Sequence, residues 1–137
     1  MNVLQLIGRI VFGGFFIFNG LNHFMSTGML AQYAGSKGVP APEVAVILTG
    51  ILLVLAGLSV LVGYRPALGL WALVIFLIPT AIIMHDFWAV PEAQATAQMS
   101  QFMKNFALAG ASLMLLWAAD LPWPYSVGGS SAGGEVG

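Results

Sequence analysis

The side chains able to do chemistry are few, and they fall in three short clusters. Asn19, Asn22 and His23 follow i, i+3, i+4 spacing, which places them on one stripe of a helix. His85-Asp86-Phe87-Trp88 closes one hydrophobic run, and Lys104-Asn105 opens the next. Imidazoles titrate near neutrality, so two of them can relay protons beside a quinone. Histidines from two helices can also ligate a haem axially; no cofactor is assigned with certainty, quinone is a candidate and haem is disfavoured. The plain alternative is a histidine at each helix end, hydrogen-bonded to Asn22 or to a backbone carbonyl. A metal site is not expected, because two histidines and one aspartate form an incomplete set with no short-range ligand motif. The chain has no phosphate-binding loop, no Gly-rich dinucleotide fingerprint and no nucleophile triad, so no catalytic residue is assigned.

An ionisable side chain at helix depth in a bilayer costs about 2.5–3.5 kcal/mol on insertion scales. Lys104 therefore needs a partner, and Asp86 is the nearest candidate in the topology. Three readings stay open. The pair locks the bundle, it joins the histidines in lining a polar pocket on the non-cytoplasmic side, or the charges are solvated at headgroup level without a pair. The candidate ligand-binding set is thus Asn19, Asn22, His23, His85, Asp86, Trp88, Lys104 and Asn105.

The elements that must position these residues follow from composition. Of 137 residues 59% are hydrophobic and 7% charged, against about 25% charged in a soluble domain. Lipid is the natural solvent. A net charge of −1 with four Lys/Arg excludes nucleic acid as a partner. The absence of cysteine excludes thiol relays, thiolate metal sites and disulfides.

Four spans of roughly bilayer length are predicted, at about 3–24, 43–62, 67–88 and 100–119. The first is read as a retained span, because its one basic residue, Arg9, sits inside the apolar run. Arg9 can snorkel toward the N-terminal side. Gly13 and Gly20 in the first span, and Gly50 and Gly57 in the second, are seven apart, a spacing that admits a neighbouring helix closely. Met25–Pro42 reads as a connection with a short interfacial helix at Met29–Tyr33. Gly63-Tyr64-Arg65-Pro66 reads as a tight turn, and Ala89–Met99 as a polar loop. The fold expected is an all-α transmembrane four-helix bundle with short loops, a membrane domain over 1–125, and a flexible Gly/Ser-rich tail over 126–137.

Four crossings bring both termini to one side, and Arg9 and Arg65 favour that side as cytoplasmic. His23, Lys37, Glu43, His85, Asp86 and Lys104 then share the other. The chain resembles the DoxX family of small four-span membrane proteins. The likeness rests on Phe18-Asn19-Gly20-Leu21-Asn22-His23-Phe24, Gly38-Val39-Pro40-Ala41-Pro42, Gly57-Leu58-Ser59 through Gly63-Tyr64-Arg65, His85-Asp86-Phe87-Trp88 and Phe102-Met103-Lys104-Asn105 through Gly110. That family takes its name from a subunit of an archaeal thiosulfate:quinone oxidoreductase, and other members are linked to oxidative-stress membrane complexes. The resemblance implies an inner-membrane accessory subunit near quinone, in contact with lipid and with other membrane subunits or copies of itself. Many relatives carry an acid within the second span, where this chain offers only Thr49 and Ser59. The alternatives from other classes are a small homo-oligomeric transporter or channel, and a ligand-free scaffold for partner membrane proteins.

Overall fold

The computed structural model describes residues 1–127, and the tail from 128 lies outside the described residues. The described chain is all helical. It has five helices: α1 (Asn2–Met25), α2 (Thr27–Ser36), α3 (Pro42–Val62), α4 (Pro66–Met84) and α5 (Glu92–Trp117). Among the described residues three helices, α1, α3 and α4, are long and apolar enough to cross a membrane. The fourth predicted span overlaps α5 over 100–117, and α5 begins earlier than expected because the stretch from Glu92 to Met99 is helix and not loop. Ala93, Gln94, Ala95, Ala97 and Gln98 are good helix formers, and the helix opens at Glu92 behind Pro91. The apolar part of α5, Phe102 to Trp117, covers about 24 Å at 1.5 Å per residue, against a hydrocarbon core of about 30 Å.

The pairing of α1 with α3 is set by glycine. A Cβ at Gly13 would lie 2.7 Å from the Gly57 carbonyl oxygen, and one at Gly20 would lie 2.7 Å from that of Gly50. The two seven-residue glycine steps therefore face each other in antiparallel register. Helices this close gain dispersion contacts, the main glue where lipid supplies no hydrophobic drive. Gly63, at φ 70°, ends α3 in the left-handed region, and Ser59 Oγ donates to the Tyr64 and Arg65 carbonyls to hold the turn into α4. The core lies between α1, α3, α4 and α5, around Phe16, Leu53, Leu73, Leu77 and Ala109.

α4 ends at Met84, short of the expected Trp88, and His85–Val90 turns the chain into α5. Helix α4 continues through Pro79. α2 is longer than the Met29–Tyr33 helix expected. It lies against α3 and is tied to α4 by Tyr33, whose hydroxyl donates to the Met84 carbonyl at 2.7 Å.

Arg9 does not snorkel. It is 4% exposed. Its guanidinium donates to the carbonyls of Val60 and Leu61 at the end of α3, to Gln5, and to Pro124 and Tyr125. Val127 N–H adds a bond to the Val62 carbonyl at 2.8 Å. The first residues of the expected flexible tail, Ser126 and Val127, are thus docked against the α3–α4 turn. The start of α1 and the segment after α5 meet at one end of the bundle, so α5 runs its whole length.

Candidate functional site

At the other end of the bundle the side chains of α1, α3, α4 and α5 surround a small polar cavity of about 100 Å3. Asn19 and His23 reach it from α1, His85 from the end of α4, and Lys104 and Asn105 from α5. These five residues lie far apart in sequence, and antiparallel packing brings them to one depth. Asn105, His85's partner Gln98 and Phe102 share one face of α5 at i+7 and i+4 spacing from Gln98.

A second, largely apolar cavity of about 290 Å3 adjoins it under α2, with Leu30, Tyr33, Val46, Thr80 and Ile83 among its walls. His23, His85 and Phe76 line both cavities. They are the side chains common to the polar chamber and the greasy one.

The proton positions follow from the partners. His23 Nδ1 lies 3.1 Å from the Val46 carbonyl oxygen and 3.1 Å from Thr49 Oγ1. The Thr49 hydroxyl donates to the Ala45 carbonyl at 2.7 Å, so its lone pair is free to accept. A carbonyl can only accept, so Nδ1 carries the proton and Nε2 of the neutral ring is left as a bare acceptor. His85 Nδ1 lies 2.9 Å from Gln98 Oε1, which assigns the same tautomer. Burial pulls the His85 pKa below its ordinary value, against the opposing pull of Gln98 as acceptor, so this ring favours the neutral form.

Lys104 is not paired with Asp86. Its Nζ donates to Gln101 Oε1 at 2.6 Å and lies 5.7 Å from the centroid of the Phe15 ring. Asp86 instead takes Lys37 at 2.5 Å, the one ion pair among the described residues. The reason is placement. Asp86 follows α4 into the loop, beside the end of α2, whereas Lys104 sits more than three turns into α5 and faces the cavity. The pair holds the Asp86 carboxyl below the usual range and the Lys37 ammonium above it, chiefly through their shared hydrogen bond.

Three other candidates stand outside the polar cavity. Asn22 Oδ1 accepts from Ser26 Oγ at 3.3 Å. Trp88 is exposed and packs edge-on against Phe87 and Phe102. Asp86 is engaged as described. Asn19, at the cavity, donates back to the Phe15 carbonyl at 2.8 Å. Asn105 is 6% exposed and is the most deeply buried polar residue at this end.

Sequence reasoning missed Lys37, Thr49, Phe76 and Gln98. Lys37 had a signal, since span counting puts it on the same side as Asp86. Gln98 was hidden by reading its helix as a loop. Thr49 and Phe76 had no signal that separates them from ordinary packing.

The family model for DoxX matches residues 4–86, most of α1 through α4. The chain belongs to the DoxX family. One relative, the inner membrane protein YphA of Escherichia coli (strain K12), is 33% identical over 115 residues, which is 82% of this chain and 81% of that protein. No solved structure matches the chain. This DoxX-family protein is an integral membrane protein with apolar helices in contact with lipid. The family match includes Asn19, His23, His85 and Asp86 and stops before Lys104 and Asn105, so the polar cavity joins residues from inside and outside the matched region.

Proposed function

We propose that this DoxX-family protein is an inner-membrane accessory subunit of a quinone-linked redox complex, with α5 as its fourth span. Its polar cavity faces the non-cytoplasmic side and receives the quinone head. The observation that carries the reading is the shared lining. His23, His85 and Phe76 line both a polar chamber and an apolar one, so an oxygen-bearing head and a hydrocarbon body would each find matching walls beside the same three side chains.

The residues fit such a head. An engineered cavity of about 150 Å3 holds a benzene ring, so the polar chamber alone admits only the oxygen-bearing edge of a ring. The larger chamber takes the rest, and the two together reach the few hundred Å3 usual for small-molecule sites. Lys104 and the Asn105 amide are donors suited to a carbonyl oxygen. The bare Nε2 atoms of His23 and His85 are acceptors suited to a hydroxyl. The site thus offers partners to both the oxidised and the reduced head. Quinone supplies the electron and proton couple when bound. The chain itself binds and orients it, and electron transfer is left to a partner subunit.

The test is titration of the detergent-solubilised protein with a short-chain benzoquinone by calorimetry. Saturable binding is expected. Lys104→Met and Asn105→Leu should each weaken it about tenfold, the worth of one good hydrogen bond to a buried or charged group. Absence of saturable binding, or unaltered affinity in both variants, overturns the quinone reading. Recovery from native membranes without any redox-centre-bearing subunit overturns the accessory role.

A further inference from the structure

We propose that the groove between α3 and α4 binds one anionic phospholipid, with the phosphate on Arg65 and an acyl chain laid along Leu48, Ile51, Leu55 and Leu68. The groove encloses about 500 Å3, and none of its lining residues lines either histidine cavity. It is therefore independent of the quinone reading.

Its walls are aliphatic apart from Ser59 and Tyr64, and Arg65 is the one charge among its lining residues. Arg65 is exposed and belongs to no ion pair among the described residues. The turn fixes where that charge stands. Ser59 Oγ holds the Tyr64 and Arg65 carbonyls at 2.7 and 3.0 Å, and the guanidinium lies 5.8 Å from the centroid of the Tyr64 ring. The start of α4 at Pro66 adds the positive end of a helix dipole beside it.

The dimensions select the occupant. Along α3 the groove runs from Ser59 to Leu48, about 16 Å at 1.5 Å per residue. That is about half of a hydrocarbon core of roughly 30 Å, the depth of one leaflet. A chain anchored at Arg65 would reach the midplane where the groove ends. A guanidinium fork matches a phosphate bidentately. A zwitterionic headgroup carries an ammonium that opposes the same charge, so an anionic headgroup is preferred.

The experiment uses the full chain reconstituted into vesicles of equal parts phosphatidylglycerol and phosphatidylcholine. After mild detergent extraction, intact-mass measurement counts the lipids retained. One phosphatidylglycerol per chain is expected in preference to phosphatidylcholine. Arg65→Gln should lower that preference about fivefold, from the contribution of one basic residue at an anionic surface. Arg65→Lys should keep most of it, which separates charge from folding. Leu55→Trp, placed on the exposed side of the groove, should remove retained lipid of both kinds. Equal retention of the two lipids, or a preference unmoved by Arg65→Gln, overturns the proposal. So does a dimer, sensitive to Leu55→Trp, in place of retained lipid, which would assign the groove to a second copy of the chain.

Discussion

The two ends of this bundle treat their polar side chains in opposite ways: Arg9 is buried, whereas Lys104 is exposed and the two histidines are half-buried. At the end where α1 begins, Arg9 is enclosed by acceptors, with carbonyls of α3 and of the segment after α5 converging on one guanidinium. At the other end, Lys104 meets only Gln101 and the face of Phe15, and the two histidines keep one nitrogen each for something else. A charge with every donor engaged closes a structure. Donors and acceptors left at a cavity wall are the groups that the proposed ligand would engage. The same chemistry, a basic side chain in an apolar bundle, therefore reads as a rivet at one end and as a site at the other.

Substitutions can break that contrast. The largest loss of stability is expected for Arg9→Met, which takes the donor from the buried Val60 carbonyl and from three part-buried ones and frees the C-terminal segment. A cost on the order of 2–4 kcal/mol follows from unsatisfied buried groups, and thermal unfolding in detergent would read it as a clear drop in midpoint. Should Arg9→Met unfold at the same temperature as the parent chain, the rivet description fails. Next comes Gly57→Leu, whose side chain must displace the Gly13 carbonyl or Ile17. Overpacking of this kind costs about 1–3 kcal/mol, seen in the same unfolding scan.

Lys104→Met sharpens the comparison from the other side. It should leave the unfolding midpoint nearly unchanged while weakening quinone binding, the reverse of Arg9→Met. A smaller effect is expected from pH. Because burial holds His85 below its ordinary value near 6.5, the unfolded chain takes up this proton before the folded one. Stability should be full above about pH 6.5, fall as pH drops below it, and level off once the folded value is passed. His85→Asn should flatten that decline, as followed by unfolding midpoints across a pH series. Lys37→Met should have the least effect. Its pair with Asp86 is partly exposed and is screened by salt, so any loss should vanish in high-salt buffer.

Much of this was legible in the sequence, for identifiable reasons. Glycines seven apart can only mean a narrow helix face, and both pairs meet as that spacing requires. Antiparallel travel put Asn19, His23, His85, Lys104 and Asn105 at one depth, and depth needs only helix lengths. Pairing was not legible in the same way. Asp86 chose Lys37 over Lys104 because the choice depends on where α4 stops, and its end at Met84 rather than Trp88 turned the carboxylate toward α2. The polar start of α5 misled for a related reason. Alanine and glutamine form helix readily but carry no apolar stripe, so hydrophobic periodicity alone missed that stretch. Arg9 is the largest lesson. Its partners are backbone carbonyls, which every residue carries and no sequence pattern marks.

The facing glycines of α1 and α3 also limit how the molecule can move. With each carbonyl lodged where a methyl would stand, neither helix can slide or roll past the other without a collision of main chains. Any breathing of the bundle must therefore come from α4 and α5 swinging against this fixed couple. His23 rides on the stationary part and His85 on the travelling one, so the gap between the two imidazoles is the dimension such motion would change first.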